Sequence, residues 1–229
     1  IATGEDSLHG LVGYYSWNEN AYPRNIMRMT FVSNHDHNSW EGTQFERFED
    51  GLEAAIVLSV IGEGMPLIYS GQEAGNPKRL AFFEKDPIVW RDHPIGDLYQ
   101  RLFSLKHENT ALWNASWGAR MLQVHNDAPD AVFSFVRQNE RDKVFAAINF
   151  SDDAQTVAFG VDGESLSYGD YTEYFSGATA RVDADTQVTL EPWGYRVFVR
   201  SMTDREKEWR DDFSLEDRPA TGFPMVEVS

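Results

Sequence analysis

Two short apolar segments, each ending in a polar cluster, constrain the fold of this chain most strongly. Met29–Val32 leads into the polar run 34–36, and Met65–Tyr69 leads into the polar loop 70–75. This pattern is typical of buried parallel strands that deliver polar side chains to the carboxyl edge of a sheet. Between them, residues 45–61 predict a helix whose second half is apolar on nearly every side, as expected for a helix packed against a sheet. The order strand, helix, strand therefore predicts a parallel βαβ unit.

The bounds of this unit and of its flanking helices follow from periodicity and from glycine and proline. We expect strands over Met27–Ser33 and Met65–Tyr69, and helices over Ser7–Trp17, Phe45–Ile61 and Ile95–Asn109. Pro94 suits the first turn of the last helix. Gly62 and Gly64 predict that the middle helix ends in a left-handed cap.

From Arg120 onward the pattern changes to short apolar runs separated by turns, without a helical period. This predicts an antiparallel β-sandwich. The expected strands are Met121–His125, Ala131–Arg137, Val144–Phe150, Thr156–Phe159, Tyr171–Tyr174, Ala180–Val182, Gln187–Leu190 and Tyr195–Arg200. We expect an α/β part over residues 1–117, the all-β part over 118–200 and a charged tail over 201–229.

Composition narrows the classes of function. The 229 residues carry a formal charge of −17, which disfavours binding to nucleic acid or to anionic lipid. No run of 18 apolar residues is present, so no membrane span is expected. The absence of cysteine excludes disulfides and thiolate metal sites. Neither the charge nor the cysteine count decides the compartment, because acidity also serves solubility alone.

The cluster Asn34-His35-Asp36 has three interpretations when it is considered alone. Asn and Asp often bond nearby backbone in turns or cap the next helix. A carboxylate beside an imidazole at a strand end can hydrogen-bond vicinal hydroxyl groups, as on a sugar. His35 and His37 are two residues apart and are also compatible with a metal site.

The chain around this cluster resembles the α-amylase family of glycoside hydrolases. Phe31-Val32-Ser33-Asn34-His35-Asp36 is similar to the family's block at the end of the seventh barrel strand. The segment from Gly64 to Glu73 is similar to its eighth strand, with the expected Gly, Pro, Tyr, Gly and Glu positions, and a helix and a β-sandwich follow in the family's order. The resemblance implies the C-terminal portion of a (β/α)8 TIM barrel followed by an antiparallel β-sandwich.

The resemblance also implies roles for individual residues. Asp36 matches the catalytic carboxylate that grips the sugar and stabilises the transition state, and His35 matches an imidazole that binds the same sugar. Trp40 is expected either to stack on a sugar or to pack its own loop. Asn34 is expected to brace the loop, and Glu73 to be structural. Neither a metal nor a cofactor is implied, and the implied ligand is an α-glucan such as starch or maltooligosaccharides.

Part of the expected catalytic machinery does not match any segment of this sequence. Retaining cleavage needs a nucleophilic carboxylate and a general acid about 5 Å apart. In the family these lie on earlier strands, and the residues before Met27 contain no such motif. The 229 residues are therefore expected to be inactive alone and to need the remaining barrel from the same or another chain. The alternatives are a non-catalytic carbohydrate-binding module with a remnant barrel, and a transglycosylase. Linkage preference, oligomeric state and a cytoplasmic or exported location in a bacterium stay open.

Overall fold

The computed structural model describes residues 7–161 and 166–201. The predicted charged tail, apart from Ser201, lies outside the described residues. The α-helices are α1 (Leu8–Ala21), α2 (Gln44–Phe48), α3 (Leu52–Ile61) and α4 (Pro94–Glu108). Helix α1 extends four residues beyond its predicted end, and α4 begins at Pro94 as its sequence predicts.

Two short strands, β1 (Met29–Thr30) and β2 (Met65–Pro66), pair in parallel with Met29 opposite Met65. The backbone N–H of Met65 donates to the Arg28 carbonyl at 2.8 Å, and that of Leu67 donates to the Thr30 carbonyl at 2.8 Å. The predicted parallel pair is confirmed, but both strands are shorter than predicted. In the described part of the chain each has only the other as a neighbour, so only two residue pairs form a ladder.

The single helix predicted over 45–61 is wrong, because the backbone breaks at Glu49. Thr43 and Glu46 form a capping box at the start of α2, and Glu49 then adopts a φ of 47°, which ends this helix. A 3₁₀ turn over Glu49–Gly51 leads into α3, whose side chains are nearly all buried. That burial agrees with its all-round apolar sequence.

The left-handed cap predicted at Gly62 is also wrong, since its φ is −63°. Gly62 is needed for space instead, because a Cβ there would lie 2.6 Å from the Leu58 carbonyl oxygen. Gly64 has a φ of 149°, and a Cβ there would lie 2.4 Å from Thr30 Cγ2. Glycine at this position therefore lets β2 approach β1.

All eight strands predicted in the second half are present, with ends that differ by at most two residues. They are β3 (Met121–Gln123), β4 (Val132–Gln138), β5 (Asp142–Asn149), β6 (Gln155–Ala158), β7 (Gly169–Glu173), β8 (Thr179–Val182), β9 (Gln187–Leu190) and β10 (Tyr195–Ser201). Six of them form an antiparallel sheet in the order β3-β4-β5-β10-β7-β8, and β6 pairs with β9 in a second sheet.

The six-stranded sheet is buried on both faces. One face, including Phe135 and Ile148, packs against the helices in one continuous core. The other face, including Val136 and Phe145, packs against the β6–β9 pair in a second core. Strand β4 is therefore buried along nearly its whole length.

A buried guanidinium joins the helices to the sheet. Arg137, on β4, is 1% exposed and donates hydrogen bonds to carbonyls of three separate segments. Its shortest bonds go to Gly62 O at 2.8 Å, Trp113 O at 2.9 Å and Ala119 O at 3.1 Å. Burial lowers its pKa to about 10. Because Gly62 follows the C-terminus of α3, the cation also faces the negative end of that helix dipole.

Candidate functional site

The residues after β1, which include the polar run 34–36, form a compact helical turn. Asn34 Oδ1 accepts a hydrogen bond from the backbone N–H of His37 at 2.8 Å, so Asn34 braces the turn as expected. The turn widens into a π-helix over His37–Glu41, closed by the N–H of Gly42 donating to the His37 carbonyl at 2.9 Å. Single π-helical turns occur frequently at functional sites.

His35 and Asp36 lie side by side at the start of this turn. Their side chains are 64% and 59% exposed, and His35 Nε2 lies 3.5 Å from Asp36 Oδ2. The Asp36 carboxylate does not cap the π-helical turn, so turn chemistry accounts for Asn34 but not for Asp36. Both side chains are therefore accessible from solvent.

His37 belongs to a separate cluster that holds the turn on α2. Its Nδ1 lies 2.8 Å from an Arg47 guanidinium nitrogen, and a guanidinium can only donate, so Nδ1 is the acceptor. The proton is then on Nε2, which faces the Glu41 carboxylate at 3.8 Å. Arg47 also pairs with Glu41 at 3.3 Å. The two histidines thus have different neighbours: His35 lies beside Asp36, and His37 lies between Arg47 and Glu41. Among residues 7–161 and 166–201, no group of three or more His, Asp or Glu side chains is arranged to hold a metal.

The polar loop after β2 is folded by its own side chains. Gln72 Oε1 accepts from the backbone of Tyr69 at 2.6 Å, and Gln72 Nε2 donates to Gln44 Oε1 at 3.1 Å. Glu73 Oε2 accepts from the backbone N–H of Gly71 at 3.0 Å, which agrees with its expected structural role. The buried Gln72 ties the β2 loop to α2.

An exposed aromatic cluster adjoins His35, and sequence analysis identified only one of its members. The rings of Trp40, Phe82 and Phe83 contact one another with centroid separations of 4.8–6.3 Å. Phe82 also lies 5.7 Å from the His35 ring. Trp40 is 61% exposed, Phe82 39% and Phe83 84%. The adjacent phenylalanines are visible in the sequence, but their contact with Trp40 joins distant parts of the chain and could not be read from it.

The segment that carries the two phenylalanines is fixed to the π-helical turn. Asn38 is buried; its Oδ1 accepts from the N–H of Leu80 at 2.8 Å and its Nδ2 donates to the Lys78 carbonyl at 3.3 Å. Ser39 Oγ donates to the Leu80 carbonyl at 2.7 Å. The Arg79 guanidinium makes a bidentate pair with Glu46 at 3.0 and 3.1 Å. These bonds position the aromatic rings beside His35 before any ligand arrives.

Comparison with known proteins identifies the class to which this architecture belongs. Residues 121–197 match the family model described as the maltogenic amylase C-terminal domain. The chain is 28% identical over 178 residues to α-amylase MalA of Haloarcula japonica, covering 76% of this chain and 25% of the relative. It is 24% identical over 225 residues to a cyclomaltodextrin glucanotransferase of Geobacillus stearothermophilus, covering 89% of this chain and 29% of the relative.

Solved structures share the fold at low sequence identity. The maltogenic α-amylase AmyB of Thermotoga neapolitana superposes with a TM-score of 0.72 at 18% identity, over 88% of this chain and 48% of that one. The α-amylase of Geobacillus thermoleovorans, solved with acarbose, has a TM-score of 0.69 at 20% identity, over 86% of this chain and 44% of that one. These matches support the interpretation that this chain is similar to the C-terminal part of α-amylase-family glycoside hydrolases. It spans about a quarter of the length of the curated relatives it matches.

In the described part of the chain, no helix is both long enough and apolar enough to span a membrane.

Proposed function

We propose that this chain contributes Asp36, His35 and Trp40 to the active site of a retaining hydrolase of α-1,4-glucans. The observation that carries the proposal is the exposed pair His35–Asp36 at the carboxyl end of β1, flanked by aromatic rings. In this assignment Asp36 is the catalytic carboxylate that stabilises positive charge on the sugar, His35 binds hydroxyls of the same sugar, and Trp40 stacks on a neighbouring sugar face. A preorganised carboxylate facing a developing cation is usually the largest single contribution to such a rate.

The same proposal assigns residues 1–117 to the C-terminal part of a (β/α)8 barrel, residues 118–200 to the β-sandwich and 201–229 to a tail. Strands β1 and β2 would be barrel strands seven and eight. A cavity of 690 Å³ runs along β1 between α1 and α3, lined by residues such as Leu11, Val32 and Leu58. A second cavity of 560 Å³ lies beside β2 and α4, lined by residues such as Phe103 and Trp117.

We assign these two cavities to the missing barrel strands on either side of the β1–β2 pair. Parallel strands occur almost only in sheets that are covered on both faces, and an exposed apolar edge strand is prone to aggregate. The matched relatives are two to four times longer than the part that this chain covers. Their additional residues are numerous enough to form the other barrel strands. The occupant is therefore more of the same barrel, from the same or another chain.

The nucleophile and the general acid belong to the missing part in this proposal. The nearby carboxylates are engaged in holding the structure: Glu41 with Arg47, and Glu73 with the backbone of Gly71. We therefore expect the 229 residues alone not to hydrolyse a chromogenic α-maltoside, and activity to require the rest of the barrel. Activity of the chain alone that Glu73→Gln abolishes would contradict this assignment.

The test of Asp36 uses the complete enzyme. Asp36→Asn keeps the shape of the side chain and removes its charge, so kcat on maltooligosaccharides is expected to fall by about 10²-fold or more while the melting temperature is retained. His35→Ala is expected to act mainly through KM and to be milder. Asp152→Asn, which removes an exposed carboxylate in the turn after β5, is the matched control and should leave kcat unchanged. A near-normal kcat for Asp36→Asn would refute the assignment.

A carbohydrate-binding module without catalysis is the second candidate, favoured by the exposed aromatic cluster and by the engagement of Glu41 and Glu73. It predicts that the chain binds maltooligosaccharides, and that adding the remaining barrel does not produce cleavage. One relative is named a glucanotransferase, and the ratio of transfer to hydrolysis products in the active enzyme distinguishes that reaction.

A further inference from the structure

Phe82 and Phe83 are exposed apolar rings that the site described so far does not require. Phe83 is 84% exposed, and the centroids of the two rings are 4.8 Å apart at an interplanar angle of 72°. Leaving an aromatic ring in water forgoes its burial energy, which is among the largest of any side chain. A pair of such rings in one place, touching Trp40, indicates a surface that a partner covers.

The loop that presents these rings is closed by its own charged groups. One Asp86 carboxylate oxygen pairs with the Lys78 ammonium, and the other accepts from the backbone N–H of Ala81 at 2.9 Å. Together with the bonds from Asn38 and Ser39 to Leu80, these contacts hold both ends of the segment 78–86. The rings are thus presented on a braced loop, and little conformational entropy is lost when a ligand binds them.

The position of the cluster indicates what kind of ligand covers it. Phe82 lies between Trp40 and His35, with ring separations of 5.5 and 5.7 Å, so the apolar surface is continuous with the polar pair His35–Asp36. A pyranose has apolar C–H faces and polar hydroxyl edges. A sugar chain therefore matches this surface, on which the aromatic rings lie directly beside the His35 imidazole, which in turn lies beside the Asp36 carboxylate.

We infer that Phe82 and Phe83, together with Trp40, form a stacking platform for additional sugar units of an α-glucan whose terminal or central unit is held by His35 and Asp36. This inference rests on the proposed function of that pair. It makes Phe82 and Phe83 determinants of chain-length preference. An added glucose unit increases the affinity of the oligosaccharide only if that unit contacts the platform. The ligand class is an α-1,4-linked oligosaccharide longer than a disaccharide.

The experiment measures affinity by titration calorimetry with maltose and with maltoheptaose, on the chain and on the complete enzyme. Phe83→Ala is expected to reduce the gain in affinity from maltose to maltoheptaose by about tenfold, because one stacked ring is lost. Trp90→Ala is the matched control: Trp90 is an exposed aromatic that follows the same segment, 60% exposed, and it is expected to leave that gain unchanged.

The outcomes separate the platform from the catalytic assignment. If Asp36→Asn abolishes turnover but Phe83→Ala leaves the gain with chain length intact, the platform inference is wrong and the proposed function stands. If neither protein binds either sugar, both are wrong. If Phe83→Ala lowers the melting temperature or changes the oligomeric state without changing the gain, the rings serve packing or assembly and the inference is wrong. If Phe83→Ala lowers the affinity for cellohexaose as much as the affinity for maltoheptaose, an α-glucan is refuted as the specific ligand.

Discussion

Replacing Arg137 by methionine tests whether one buried guanidinium joins the helices to the six-stranded sheet. The side chain is fully buried, and its three shortest hydrogen bonds, 2.8–3.1 Å long, go to carbonyls of Gly62, Trp113 and Ala119. Methionine has similar length and no donor, so these carbonyls would stay buried without partners. Each hydrogen bond to a charged group contributes about 1.5–3 kcal/mol.

The net cost is smaller than the sum of these bonds, because the substitution also removes a charge that burial disfavours. Burial holds the pKa of Arg137 at about 10, below its ordinary value, which shows that this penalty is present. Each buried carbonyl left without a partner costs about 1–3 kcal/mol, so three of them less the relieved charge penalty give a net cost of roughly 3–5 kcal/mol. At roughly 2–4 °C per kcal/mol for a chain of this size, the melting temperature should fall by about 6–20 °C.

The assay is urea unfolding followed by tryptophan fluorescence, with calorimetric melting as a second probe. Arg196→Met is the matched control, because Arg196 is an exposed arginine on β10 whose guanidinium donates to the adjacent Tyr195 carbonyl. It should stay within about 0.5 kcal/mol of the parent. Arg137→Lys keeps the charge with fewer donors and should fall between the two. A loss below about 1 kcal/mol for Arg137→Met would refute the argument that these carbonyls depend on the guanidinium.

Three further predictions concern the groups that hold the site and its supporting helices. Burial lowers the pKa of Lys106 to about 7, below its unfolded value, so the unfolded chain binds the extra proton between pH 7 and 10 and stability should rise with pH there. Lys106→Met should remove this rise, and Lys85→Met, which changes an exposed lysine, should not; urea unfolding at pH 7, 8 and 9 measures it. The hydrogen bonds from Arg79 lower the pKa of Glu46 to about 2, so its contribution is present above pH 4.5 and is lost as the pH falls towards 2. Glu46→Gln should flatten the fall in melting temperature between pH 5 and 3. Asn38→Ala leaves the buried N–H of Leu80 unpaired and should lower the free energy of unfolding by about 1–3 kcal/mol. Amide exchange at Leu80 should become faster. Unchanged exchange would contradict the role of Asn38 in holding Leu80.

Local sequence pattern was sufficient to predict the elements whose residues show a clear periodicity between turn residues. The eight strands of the second half follow from short apolar runs between turn residues, and α4 follows from Pro94 and the stripe Leu98, Leu102 and Leu105. The parallel pairing of β1 with β2 follows from two apolar runs joined by a helix. These features are encoded within windows of a few residues, where periodicity and turn chemistry dominate.

The break in the predicted helix at Glu49 shows where local pattern was insufficient. Helical periodicity continues across that position, yet its φ is positive and a new helix begins after Gly51. The capping box at Thr43 fixes the direction in which α2 begins, and burial of most of the α3 side chains fixes the direction of that second helix. The backbone has to turn between the two helices to satisfy both. Only the packed structure decides how the two are reconciled.

The candidate site divides in the same way. The motif itself marks His35 and Asp36, and Trp40 follows it in the same turn. The amide of Asn34 braces this turn by a local bond that its residue type predicts. Three other contacts of the site join residues that lie 10 to 42 positions apart: Arg47 with His37, Asn38 with Leu80, and Phe82 with Trp40. Likewise Arg137 appears in the sequence only as a charge near the end of a strand. Its burial is decided by carbonyls from three separate segments that converge on it, and such convergence exists only once the helices lie on the sheet.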